Sequence, residues 1–288
     1  MSVLVAGVDY SGAKTVPNET WLVVGEVSSL GMQVKSVKRT GSHALKKELD
    51  ELKDLKACAL DFPFSLPMEF LRFLERQEDK EEFQEWQQIA TQLVFMSYED
   101  FEDRVKEYDI EPKRFTDKNC GRPAQSPLHQ VNPSMVQMTY HGIRMLASLN
   151  PEKYYVAPFQ DPKPEACPVL EVYPREILWL LGLPDRGYKA KEKSKQEKAL
   201  DLRKEIVNGL VNLRERGEEK YQNCPRLSLD NSMKGQLIAS DHALDALAAC
   251  YGAAIYATQQ DLFPDPLDAN NLNILLEGWI YAPSKLAG

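Results

Sequence analysis

Five acids stand at positions where a chain ordinarily places apolar residues or simple turns. Asp9 ends the apolar run Val3 to Val8 and Asp61 ends the run Ala57 to Leu60. Glu171 lies between Leu170 and Val172, and Asp241 and Asp245 head the segment DHALDALAAC. Carboxylate oxygens are the preferred ligands of hard divalent cations, and Mg²⁺ typically takes one or two carboxylates plus water and substrate phosphate. Acids delivered from two adjacent strand ends, a further strand and a helix N-terminus could hold two such ions about 4 Å apart, the spacing that clamps the attacking and leaving oxygens in phosphoryl transfer.

Each acid also has an ordinary reading. An Asp just after a strand bonds nearby backbone N–H groups in a turn, which accounts for Asp9 or Asp61 taken singly. Asp241 suits the first turn of a helix capped by Ser240, where a negative charge meets the positive end of the helix dipole. Glu171 alternates with Leu170 and Val172 and can face solvent, although its own face also carries Val169 and Tyr173. Asp245 resists such a reading. At helical spacing Asp241, Leu244, Asp245, Ala248 and Gly252 form one small-residue stripe fit for close packing. A carboxylate buried there needs a cation, a metal or several hydrogen bonds. A lysine or arginine already neutralising these acids would remove the reason for a metal.

The stretch GVDYSGAKT, Gly7 to Thr15, is not a phosphate-binding P-loop. Ala13 intervenes between Gly12 and Lys14, and the turn-like PNET follows where that motif opens a helix. Asp9 is therefore the residue in it that asks for a role.

The elements that must position these acids can be read from periodicity. Val3 to Val8 suits a central strand buried on both faces, and Trp21 to Val27 and Met32 to Lys38 continue it as an antiparallel meander. Leu45, Leu49, Leu52 and Leu55 recur at helical spacing from Ser42 onward. The fourth strand ends at Asp61, and Val169 to Tyr173 supplies a fifth. From Glu69 to Arg104 the composition turns to Glu, Gln, Lys and Phe, which predicts helices forming a cap. The stretch from Pro112 to Pro133 reads as a long irregular loop, the kind of length that is commonly functional or disordered. Helices are expected over 133–149, 174–181, 189–212 and 240–258. The lysines of KAKEKSKQEK are interleaved with Glu192 and Glu197, as on a solvated face. The expectation is a single domain over 1–288, with residues 62–167 as a helical and loop insertion.

Composition narrows the function classes. The chain has 288 residues, 43% of them hydrophobic, enough for a packed core, and a net charge of −8. That charge disfavours gripping nucleic acid over a broad surface, so any such contact must be local or bridged by metal. Five dispersed cysteines without a Cys-x-x-Cys pair give no zinc signature. No basic leader precedes the first strand, and the weakly polar run from Ala243 to Ala257, interrupted by Asp245, is too short to span a bilayer. A cytoplasmic location without membrane contact is expected.

The succession GVDYSG, ALDFPFSLP, LEVYPREIL, SDHALDALAAC and EGWIY resembles a family of unknown function predicted to be nucleases with an RNase H-like fold. Matching positions run from Asp9 to Trp279. The resemblance implies an α/β fold built on a five-stranded mixed sheet, its first three strands antiparallel, with helices on both faces. DHALDALA also looks like the C-terminal acidic motif of Holliday-junction resolvases, in which the acids stand three apart rather than four. By resemblance, Asp9, Asp61 and one or both of Asp241 and Asp245 bind Mg²⁺ or Mn²⁺, Asp9 as the bridging ligand, and Glu171 matches a family glutamate. The implied reaction is two-metal hydrolysis of a phosphodiester in nucleic acid, DNA or RNA, with Lys14, Lys189, Arg122 and Arg175 as candidates to approach the phosphate. His242, one position from Asp241, points off the stripe and reads as a polar helix residue. Two other readings stay open: an actin-like or sugar-kinase-like ATP phosphotransferase, and a non-catalytic binding protein on the same fold. The first calls for a second strand-end acid set and a Gly-rich loop, and FPFSLP after Asp61 lacks that glycine signature.

Overall fold

A computed structural model of the chain describes residues 2–11, 20–77, 81–131, 133–190 and 192–287. The described residues form a mixed sheet flanked on both faces by helices. The strands are β1 (Val3–Asp9), β2 (Trp21–Ser28), β3 (Gly31–Arg39), β4 (Leu55–Asp61), β5 (Tyr154–Val156), β6 (Cys167–Glu171) and β7 (Leu227–Ser228). Their spatial order is β5-β6-β4-β1-β2-β3-β7. β1 to β3 form the expected antiparallel meander, while β4 runs parallel to β1 and β6 parallel to β4. The sheet has seven strands rather than the expected five, because β5 and β7 add short edges of three and two residues that periodicity cannot reveal.

The helices are α1 (Ser42–Glu51), α2 (Met68–Gln77), α3 (Trp86–Phe95), α4 (Tyr98–Tyr108), α5 (Phe115–Asn119), α6 (Pro133–Ala147), α7 (Pro174–Leu180), α8 (Lys193–Val211), α9 (Asn231–Ala239), α10 (Asp241–Thr258) and α11 (Ile274–Glu277). Because strand side chains alternate between faces, β1 divides its residues between two cores. Val5 faces a cluster with residues of α7, α8 and α10, and Ala6 and Val8 face a second cluster with residues of α1 to α4 and α6. An apolar run without alternation is what burial on both faces requires.

Several boundaries differ from the periodic reading. The first helix stops at Glu51, so that Leu55 of the supposed stripe opens β4 instead. The Pro-rich stretch after Pro112 contains α5 and a fully buried arginine, Arg114. The region between β4 and β6 is not wholly an insertion, since it donates β5 to the sheet. The charged helix begins at Lys193 rather than Lys189, which leaves Lys189 on the connection before it.

The central element is α10, whose residues Ala243 to Ile255 are all buried. It is not striped but apolar on every side, as a helix must be when sheet covers one side and helices the other. It lies across β1, β4 and β2 and beneath α7 and α9. Close approach is possible because β1 presents Gly7. A Cβ there would stand 2.0 Å from the Cys250 backbone nitrogen and 2.4 Å from the Ala246 carbonyl oxygen. Main chain cannot swing aside as a side chain can. Gly7→Ala is therefore expected to lower stability by about 3 kcal/mol or more, read as a drop in the urea midpoint.

Candidate metal centre

Asp9 and Asp61 meet because of strand register. β1 and β4 are parallel, and in their ladder Asp9 pairs directly with Asp61, each as the last residue of its strand. Two residues back along β1 on the same face is Gly7, where α10 crosses. The first full turn of α10 therefore sits over the strand ends. Asp245, wholly buried at 0% exposure, is carried on that turn. Carboxylate oxygens of Asp9, Asp61 and Asp245 lie within 4.8 Å of one another. Residues far apart in the chain thus supply one group of three acids.

Register also explains why Glu171 stays apart. It pairs with Leu60, not Asp61, in the β4–β6 ladder. Neighbouring positions on adjacent strands share a face, so Glu171 points to the face opposite Asp61. There Arg114 holds it through Nη1 (2.8 Å to Oε2) and Nη2, and the Phe64 N–H donates to it at 2.9 Å. The same guanidinium binds Asp117 through Nε at 3.1 Å and Nη2 at 2.8 Å, and donates to the Glu277 carbonyl at 3.1 Å. Glu277 in turn accepts from the N–H groups of Met68 and Phe115 at 2.7 and 2.9 Å. Burial pushes the Glu171 carboxyl up and Arg114 opposes that rise. Glu171 thus ties β6, α5 and the C-terminal segment together.

Asp241 is also outside the group of three. It occupies the first turn of α10, whose N-cap Ser240 accepts from the Ala243 N–H at 3.2 Å. Of the basic candidates, Lys189 reaches the acids, its Nζ pairing with Asp245 Oδ2. Arg122 and Arg175 instead meet Asp185, each with Nε 3.1 Å from Oδ2. Lys14 lies outside the described residues.

Two partners escaped the sequence reading. His242, expected as a plain polar helix residue, places Nδ1 2.8 Å from Asp9 Oδ2. Tyr188 donates its hydroxyl to Asp245 Oδ1 at 2.8 Å. His242 could have been found by its position on the first turn beside Asp241. Nothing in the run RGYKAK marks Tyr188.

The electrostatics are those of crowded acids. Burial raises the pKa of Asp61 well above the ordinary carboxylate range, and the nearby charges of Asp9 and Asp245 add to it. Asp9 is raised by burial, partly offset by its bond to His242. His242 is raised by that bond. Burial opposes the charge on Lys189, but Asp245, Asp61 and Asp9 hold its pKa above the ordinary value. With all three carboxylates ionised, the single lysine would not neutralise the group, and the raised pKa values of Asp61 and Asp9 reflect that crowding. Even a protonated His242 leaves one acid in excess. Asp245 Oδ2 pairs with the ammonium of Lys189, while Oδ1 takes the Tyr188 hydroxyl.

The model of a family described as protein of unknown function (DUF429) matches residues 7–269, spanning every residue of this group. The chain belongs to that family. No curated protein and no solved structure matches this DUF429 member. No helix among the described residues is long and apolar enough to cross a membrane.

One measurement tests the Arg114 network and a second the three carboxylates. Arg114→Met, which strands Glu171 and Asp117 in the interior, is expected to cost about 3–5 kcal/mol of stability, and Arg114→Lys to recover little, lacking the planar fork. The second concerns pH. Asp9 and Asp61 have folded pKa values above the unfolded one, so the folded state binds more protons and stability falls as pH rises above ~3.9. The raised pKa of His242 gives stability below ~6.5 that is also lost with rising pH. Both slopes have the same sign. Urea midpoints of the metal-free protein should fall from about pH 5 to about pH 8, more steeply than those of Asp61→Asn, and saturating Mg²⁺ should flatten the wild-type slope.

Proposed function

We propose that this DUF429 protein is a metal-dependent phosphodiester hydrolase acting on nucleic acid, with Asp9, Asp61 and Asp245 as the ligands of Mg²⁺ or Mn²⁺. The observation that carries this is the convergence of the three carboxylates at one end of the sheet, on one face, from two strand ends and a buried helix turn. The donor set suits a hard cation: all oxygen, three carboxylates to one lysine when ionised, with Asp245 Oδ2 held by an ammonium that a divalent cation could replace. The sheet supports the finer reading of an RNase H-like fold, because β1 to β3 are an antiparallel meander and β4 and β6 join parallel on the other side of β1. The phosphotransferase reading, which calls for two such halves, gains less support, since the described residues build one sheet.

When bound, the ion lowers the pKa of a coordinated water and stabilises the charge that develops on the leaving oxygen. The chain's own residues hold the reactants. Tyr188 fixes one oxygen of Asp245 and leaves the other toward the site. His242 orients Asp9 through Nδ1, and its half-exposed ring can carry a proton between Asp9 and solvent. Lys189, half-exposed and on a connecting segment, pairs with Asp245 and would be within reach of a phosphate oxygen were a cation held by Asp9, Asp61 and Asp245.

Calorimetric titration with Mn²⁺ should give saturable binding that is lost in Asp9→Asn, Asp61→Asn and Asp245→Asn. Asp241→Asn and Glu171→Gln should keep it. Hydrolysis of single- or double-stranded oligonucleotides should require Mg²⁺ or Mn²⁺ and fall about 100-fold or more in Asp61→Asn, since even outer-shell partners of a metal commonly cost 10- to 100-fold. Absence of cation binding by the folded wild type would refute the proposal.

A further inference from the structure

Beside the three carboxylates runs a cleft of about 450 Å³ whose walls include Asp61, Lys189, Tyr173, Arg175, Asp185 and Arg186. Its chemistry changes from one end to the other. At the Asp61 end it is acidic. Around Asp185 it is cationic: of the lining residues, Arg175 has Nε 3.1 Å from Oδ2 and Arg186 has Nε 3.7 Å away, and Arg122, next to the cleft rather than in its lining, also brings Nε to 3.1 Å. Arg175 donates a true hydrogen bond there. The Nε of Arg122, although close, is buried and unaligned, and has no hydrogen-bond partner. The Arg186 side chain is 71% exposed.

A single carboxylate cannot satisfy three arginines, each of which carries five N–H donors in a fixed fork. The other nearby acid, Glu176, accepts the backbone N–H groups of Gly121 at 2.8 Å and Arg122 at 2.6 Å, and its charge also faces Arg122 and Arg175, so two acids stand against three guanidinium groups. Arg122 is further held over the Trp179 ring, 4.7 Å from its centroid. Arg186 and Lys189 sit on one short loop that turns at Gly187, where φ is +80°. In a chain of net charge −8, so local a concentration of arginine is stabilised best by an anion with several oxygens. Phosphate fits, since guanidinium groups bind it bidentately.

We propose that the Arg122–Arg175–Arg186 group is a subsite for a second phosphate of the substrate, next to the phosphate held at the three carboxylates. The substrate class is then a molecule with at least two phosphates on one nucleotide unit, as in a polynucleotide or a nucleoside bisphosphate, and a lone diester is a poor ligand. This deepens the reading of Asp9, Asp61 and Asp245 as a metal centre and rests on it. Asp185 serves as the internal counter-ion that keeps the guanidinium groups gathered between binding events.

The test compares thymidine 3′,5′-bisphosphate with thymidine 5′-monophosphate, titrated calorimetrically into the full-length protein at fixed ionic strength with saturating Ca²⁺. Wild type is expected to bind the bisphosphate at least about tenfold more tightly, a difference of one well-made charged contact. In Arg175→Gln/Arg186→Gln the preference should shrink to about twofold or less, while the Ca²⁺ isotherm stays unchanged. Arg186→Gln alone, altering an exposed side chain, should fold normally and lose part of the preference, which guards against a double variant that misfolds. Equal affinities in wild type, or a preference untouched by either variant, overturn the proposal. The same ratio is measured in Asp61→Asn with chelator and no Ca²⁺. A bisphosphate preference retained there, when wild type binds no cation, removes the metal reading and leaves the subsite. Cation binding without any preference removes the subsite alone.

Discussion

The architecture depends on the contact between a helix backbone and a strand backbone at Gly7. Because that position has no side chain, α10 can settle directly on the middle of β1, with the Cys250 nitrogen and Ala246 oxygen where a Cβ would otherwise be. Everything near the acids follows from this distance. It sets the first turn of α10 over the ends of β1 and β4, and it makes burial of Asp245 unavoidable. Burying an ionised carboxylate is costly unless something compensates it. The partial compensation by Tyr188 and Lys189 is what leaves a demand for positive charge.

The sheet divides the acids into two kinds that composition alone would group together. On the insertion side, Glu171 and Asp117 meet one arginine with enough donors to serve both, and Glu277 takes two backbone N–H groups. That network is closed in hydrogen bonds, although its carboxylates also outnumber its one arginine. On the α10 side, three carboxylates meet one lysine, one histidine and one tyrosine hydroxyl. A network left in deficit within a folded core is more readily explained by a role in binding than by stability, since stability would favour completing it.

Much of this was legible in the sequence and the remainder had physical reasons for being hidden. Asp9 and Asp61 announced themselves as the polar ends of apolar runs. Asp245 did so because no cap or dipole explains an acid five residues inside an alanine-rich segment. The meander and the order of the long elements followed from periodicity. Register did not, and a difference of one position between Leu60 and Asp61 as the partner of Glu171 sends that side chain through to the other face. Arg114 was hidden within a Pro-rich stretch whose composition suggests a surface loop, although burial and α5 give it definite structure. Two-residue and three-residue strands carry no periodic signal at all, which is why the sheet was expected to be narrower.

Those short strands have a further effect at the rim of the sheet. β7 pairs with β3 at Met32 and Gln33, so among the described residues most of the outer edge of β3 has no strand beside it. That stretch carries Lys35, Lys38 and Arg39, with exposed side chains. An unpaired edge is a template on which another chain can add, and lysine along it is one of the ordinary deterrents, because matching such an edge to a copy of itself brings like charges together. Lys35 is paired with Glu26 and Lys38 with Glu48, so a chain adding to this rim, at the side of the fold farthest from β5, would have to accommodate or break those ion pairs.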